Sequence, residues 1–207
     1  MDIEAVLVKL AARRPEFNYM GFVMRDFTHP APGGGFGGKT CWSRYCDPAT
    51  LGSAITPGKL NALIVNTDTY SGAGKHWTCL LFDARPRVPG VFYYDPVGRR
   101  PARAWLSDGT WRTIFEGLSM AVGRRAAVAA FLDARYNPTR HQRGRSECGM
   151  FTLYLCHSIL QDGDFARFCE NGLGDKDVEK LRAVYFKLNC DHEKSSTYSS
   201  MFLRRRT

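Results

Sequence analysis

Cys148 is followed at once by Gly149, Met150 and Phe151, and preceded six residues earlier by Gln142, on a polar loop rich in arginine. Beyond it, Met150, Phe151, Leu153, Tyr154, Leu155, Ile159 and Leu160 make a run that is apolar around most of its circumference if helical, the mark of a core helix. Cys148 then stands at the helix N-terminus, with Ser146 as a cap. The unpaired N–H groups and the dipole of a helix start favour a thiolate there. A nucleophile on the end of a buried helix is held rigidly while it faces solvent, which is the arrangement of a cysteine hydrolase. Most free cysteines are small core hydrophobes, so the weight falls on what else the chain supplies.

Thiol hydrolysis needs a base beside the sulfur, a group that orients the base, and donors for the oxyanion. Among five histidines, His76 is the leading base, at the mouth of a strand after the glycine-rich SGAGK. His29 lies in a Pro-rich loop and His192 in a polar tail. His157 is nine residues along the helix from Cys148, roughly 13 Å away. His141, beside Gln142, is a weaker competitor. The orienting acid follows from hairpin geometry. If 76–83 and 91–95 pair antiparallel, Asp83 ends about 23 Å from His76, whereas Asp95 returns to it, opposite for a four-residue turn and offset by a few residues for a longer one. Asp95 is the better candidate. The Gln142 amide and the backbone N–H of Cys148 make two oxyanion donors, each worth about 3 kcal/mol.

These residues need a scaffold. Ile3, Val6, Leu7, Leu10 and Ala11 recur at helical spacing, which predicts an amphipathic helix over 2–14. FNYMGFVMRDF (17–27) reads as a strand or an irregular packed segment, and 29–40 as loop. Residues 61–66 read as a buried strand; 76–83 and 91–95 read as two more, joined by a Pro/Gly turn. A helix is predicted over 110–122, while 126–132 is ambiguous between helix and strand. GDFARFCENGL and DKDVEKLRAVYFKLN read as closing helices before a polar, basic tail, 190–207. Strands among helices without regular βαβ alternation make the class α+β, in one domain spanning 1–207 whose N-terminal region, 1–60, carries the glycine-rich loop 33–38.

The net charge of +9 suits acidic partners, nucleic acid included. Seven cysteines without framework spacing, no opening signal-peptide pattern and no run of membrane-spanning length lead us to expect a reducing, intracellular setting and no membrane partner. Cys41 and Cys46 lack a second ligand pair, so no zinc site is expected. GGGFGGKT (33–40) fits the P-loop pattern, with Asp83 as a strand-end acid for Mg²⁺, but Pro30 and Pro32 precede it and Pro48 limits any helix after it, against the strand and helix a P-loop requires. A basic nucleic-acid-binding module would explain the charge and leave the histidine, aspartate, glutamine and cysteine unexplained.

Together ALIVNT, GKHW, YYDP and the glutamine six residues before CGMF resemble, over 61–160, the cysteine protease clan (clan CE) that contains adenain, the adenovirus endopeptidase, and the SUMO proteases. The segment IVNTDTYSGAGKHW is most similar to the viral maturation enzymes of the adenovirus and African swine fever virus type. The resemblance implies a papain-like fold, a central mixed sheet packed by helices with the nucleophile at the start of a buried one. It implies Cys148, His76, Asp95 and Gln142 as the catalytic set, with Trp77 and Gly149 against the substrate. It further implies a monomer that cleaves polyproteins at Gly-X or Gly-Gly sites during virion maturation, in virion and infected cell; the alternative is an isopeptidase removing SUMO or ubiquitin, in cytoplasm or nucleus. No cofactor is required for the chemistry. Adenain also uses DNA and a disulfide-tethered peptide as activators. The clusters Arg99/Arg100, Arg124/Arg125, Arg140/Arg143/Arg145 and Arg204–Arg206 would permit DNA, whereas no cysteine lies at 124–130 for a tether.

Overall fold

The computed structural model describes residues 3–29, 31, 43–86, 90–103, 105 and 109–187. The P-loop-like stretch 33–40, Cys41, His192 and the tail with Arg204–Arg206 lie outside the described residues. In chain order the elements are α1 (Ile3–Arg13), β1 (Phe17–Met24), α2 (Pro48–Ala54), β2 (Leu60–Asn66), β3 (Trp77–Asp83), β4 (Gly90–Tyr94), α3 (Thr110–Val122), α4 (Arg124–Leu132), β5 (Arg135–Tyr136), α5 (Cys148–Asp162), α6 (Phe165–Asn171) and α7 (Asp175–Lys187).

The five strands form one mixed sheet in sequence order, parallel at β1–β2 and β4–β5 and antiparallel between. Successive strand side chains point to opposite faces, and here both faces are covered. Leu60, Ala62, Ile64, Cys79, Leu81, Phe92 and Tyr94 pack with α1, α5, α6 and α7. Leu63, Val65, Leu80, Phe82, Val91 and Tyr93 pack on the other side with α2, α3 and α4. Strands buried on both faces read as unbroken apolar runs, which is why 61–66 was legible. The all-apolar helix is α5, buried from Cys148 to Leu160. The class is α+β, with a central mixed sheet between helices and Cys148 at the start of a buried one.

Several expectations sharpen or change. The segment 17–27 contains β1, whose register shifts between Tyr19 and Gly21, an irregularity that hides alternation. The ambiguous 126–132 belongs to α4. Pro48, read as limiting a helix, opens α2: Asp47 caps it through Thr50 N–H at 2.8 Å, and proline suits the first turn because its missing N–H is not needed there. Ser146 is not the cap of α5; Glu147 holds that position with no side-chain cap bond. Asp83 pairs with Arg85 at 2.6 Å, at the end of β3 away from His76. Cys46 is disulfide-bonded, unlike the reduced thiols a reducing setting leads one to expect. No described helix is long and apolar enough to cross a membrane.

Candidate active site

The β2–β3 loop that delivers His76 is ordered by its own short polar side chains. Asn66 Oδ1 accepts from Asp68 N–H (2.9 Å) and Lys75 N–H (3.0 Å). The Asp68 carboxylate accepts from Thr69 and Gly74 N–H at 3.0 and 3.1 Å and pairs with Lys75 Nζ at 3.3 Å. These bonds, that to Thr69 foremost, hold its carboxyl below the usual aspartate range. Gly72 has to be glycine: a Cβ would fall 2.3 Å from the Asp68 carboxylate. Thr67 N–H then bonds His76 carbonyl at 2.8 Å, closing the loop at the start of β3.

Across the sheet, Asp83 pairs with Gly90 and Cys79 with Tyr94. That register, continued by one residue, sets Asp95 against Thr78, two residues past His76, the offset expected of a turn longer than four. The Asp95 side chain spans it: Oδ1 lies 2.7 Å from His76 Nε2. Asp95 is itself fixed by Asn137, fully buried, whose amide accepts Asp95 N–H and donates to Asp95 carbonyl, both at 2.8 Å, and donates to Thr139 carbonyl at 2.9 Å. Val97 N–H adds a bond to Asp95 Oδ1 at 2.9 Å. Asn137 was not singled out from sequence; an asparagine before proline reads as an ordinary turn.

With Nε2 on Asp95, Nδ1 is the His76 nitrogen left for the Cys148 sulfur, and the two side chains lie near enough to shift each other's pKa. Burial works against charge on both, yet loses. For Cys148, burial raises the pKa, but the bond to His76, the backbone N–H groups of Trp77 and Gly149 and the His76 charge together lower it below the ordinary thiol value. For His76, burial lowers the pKa, while the bonds to Asp95 and Cys148 and their charges carry it up to about 9. Opposite shifts on a touching pair favour thiolate and imidazolium. Among the other free cysteines, burial pushes Cys79 well up and Cys169 to about 12.

Gln142 is buried in the loop ahead of α5 and anchored at both ends. Its N–H and that of His141 bond the Pro96 carbonyl at 2.8 and 2.9 Å, tying the loop to the residue after Asp95. Its Nε2 donates to Gly144 carbonyl at 3.3 Å, leaving a second amide hydrogen, and its buried Oε1 has no partner. The Asp175 carboxylate accepts N–H bonds from Arg143 (3.0 Å) and Gly144 (3.1 Å), another anchor absent from the sequence reading. Trp77 is half-buried and meets Phe22 edge-on at 6.0 Å. Gly149 packs inward, where a Cβ would stand 3.0 Å from Ile3 and 3.8 Å from Trp77.

The competing histidines are occupied elsewhere. His141 bonds Tyr94 hydroxyl through Nδ1 (3.0 Å) and Cys169 carbonyl through Nε2 (2.8 Å), and burial lowers its pKa. His157 stacks on Tyr185 with its pKa lowered to about 4, mainly by burial. No trio of metal-binding side chains occurs among the described residues.

No protein-family profile matches the chain. It is 25% identical over 125 residues, 60% of its length, to a protein of African swine fever virus named SUMO-1 cysteine protease. It is likewise 25% identical over 126 residues to a thiol protease of Acanthamoeba polyphaga mimivirus. The matches span 43% and 38% of those relatives' lengths. The crystal structure of the African swine fever virus protease superposes with a TM-score of 0.57, at 18% identity, over 87% of this chain and 63% of that one. The homologues of this chain are thus viral cysteine proteases, and it shares the fold of the African swine fever virus protease.

Proposed function

We propose that this chain is a thiol endopeptidase, one protease domain acting through Cys148, His76, Asp95 and Gln142. The observation that carries the reading is His76 standing between a buried carboxylate at 2.7 Å and a cysteine whose pKa falls despite burial. The Cys148 thiolate attacks the scissile carbonyl. The second amide hydrogen of Gln142 and the backbone N–H of Cys148, free in the first helical turn, hold the resulting oxyanion. The His76 imidazolium gives its Nδ1 proton to the leaving amine as the C–N bond breaks, and a thioester remains on Cys148. His76 then takes a proton from water, whose oxygen displaces the thiolate and releases the acid. Asp95 holds the ring in the tautomer this exchange needs.

The substrate class we infer is a polypeptide cut at a glycine-containing site, within viral polyprotein processing in the virion and infected cell. Viral proteases among the relatives support this. A second reading, removal of ubiquitin-like modifiers, draws on the name of the African swine fever virus relatives. Purified protein is tested on Gly-X and Gly-Gly peptides and on SUMO and ubiquitin reporters. The mechanism predicts cleavage that disappears in Cys148→Ala and His76→Ala. Persistence of cleavage in either variant would sink it, and the reporter that is cut separates the two readings.

A further inference from the structure

The loop between Gln142 and Cys148 carries more positive charge than its surroundings neutralise. Arg140, Arg143 and Arg145 are all exposed. Arg140 turns its guanidinium back onto the carbonyls of Gln142 (2.9 Å) and Arg143 (3.4 Å), where no carboxylate among the described residues pairs with it. The side chains of Arg143 and Arg145 form no hydrogen bond or ion pair among the described residues. Of the carboxylates bonded to or beside the loop, Glu147 pairs with Arg182 at 2.6 Å, and Asp175 is held by the loop's backbone N–H groups rather than by an arginine side chain. This loop joins the glutamine amide to the nucleophile, which places its exposed Arg143 and Arg145 within five residues of Cys148 in sequence.

We propose that Arg143 and Arg145 form a specificity-determining rim that binds aspartate or glutamate side chains close to the scissile bond of the substrate. The inference rests on the protease reading above and names a preference within it. A guanidinium matches a carboxylate in a two-pronged hydrogen-bonded pair. At about 8 Å of screening length and roughly 3.5 Å per extended residue, the rim reads about two or three residues along the bound chain. Discrete carboxylates fit it better than a polynucleotide. Duplex DNA presents a charge every ~1.7 Å, a continuous array that two adjacent arginines match over only a small part of its length.

The test measures binding to the Cys148→Ala protein by fluorescence anisotropy, using two peptides that share a glycine-containing core. One carries Asp and Glu within three residues of the core, the other Asn and Gln. The rim predicts a preference of about three- to tenfold for the acidic peptide, two exposed pairs being weak individually. That ratio collapses to about one in R143Q/R145Q and in high salt. Equal binding of the two peptides by the parent overturns the proposal. So does tight binding of duplex DNA, lost in R143Q/R145Q, without peptide discrimination; that result reassigns the rim to nucleic acid. A binding preference that persists while the unsubstituted protein cuts neither these peptides nor the SUMO and ubiquitin reporters defeats the peptidase reading and leaves Arg143 and Arg145 as an acidic-peptide binding site only.

Discussion

Cys148 and His76 each carry a charge that burial opposes, so their ionisation depends on a few directed bonds. The active thiolate–imidazolium form exists above the Cys148 pKa, which is lowered, and below that of His76, about 9. Activity against pH is therefore a bell whose upper limb falls near 9. Asp95→Asn removes the negative charge that favours the imidazolium. The His76 pKa drops toward its ordinary value, about 6.5, and the upper limb of kcat/KM moves to lower pH. The loss of ring orientation lowers kcat as well, by roughly 10²-fold. A pH–rate profile of the variant checks both effects, and an unmoved upper limb would show that Asp95 does not govern His76. The cysteine, histidine, aspartate and glutamine were legible because reactive side chains announce themselves by type and order. Asn137 and Asp175 were not: their work is to hold backbone, and nothing in an isolated Asn-Pro or a helix-start aspartate says so.

The elements explain how residues so far apart in sequence meet. The β3–β4 hairpin returns Asp95 to within reach of His76, and the Asn137 amide clamps the main chain of Asp95 from the segment after β5. Asn137→Ala leaves the buried N–H of Asp95 unpaired, while the Asp95 carbonyl keeps its bond from Gly98 N–H, at a cost of about 1–3 kcal/mol, measurable by urea denaturation. Because Asp95 then loses its fixed orientation, the same variant moves the upper limb of the pH profile toward acid. A purely structural asparagine would lower stability and leave that limb in place. Regular elements with clear periodicity were readable: α1, β2–β4 and α5 follow from apolar spacing. Short ones were not. α2 starts at a proline, and β5 is two residues long, too brief for any pattern.

At the scale of the molecule, one sheet separates two hydrophobic cores, and the core holding α5 also sets where the nucleophile sits. Phe151, fully buried three residues after Cys148, locks the first turn of that helix into the sheet. Phe151→Ala is expected to destabilise the fold by about 3–5 kcal/mol, read from chemical denaturation. A cost below about 1 kcal/mol would mean that α5 is not anchored as described. Which faces the helices cover was out of reach of the sequence, since an all-apolar helix or strand does not say which neighbour it meets.

A Cys148 thiolate sustained by His76 is open to alkylation without reference to any substrate. Iodoacetamide labelling, followed at Cys148 by mass spectrometry across pH, should show rapid reaction well below the pH at which an ordinary thiol ionises, about 8.5. In His76→Ala that threshold should rise toward the ordinary value. If Cys148 labels only at ordinary thiol pH, or labels identically with and without His76, the ion pair does not exist and Cys148 is not the activated nucleophile.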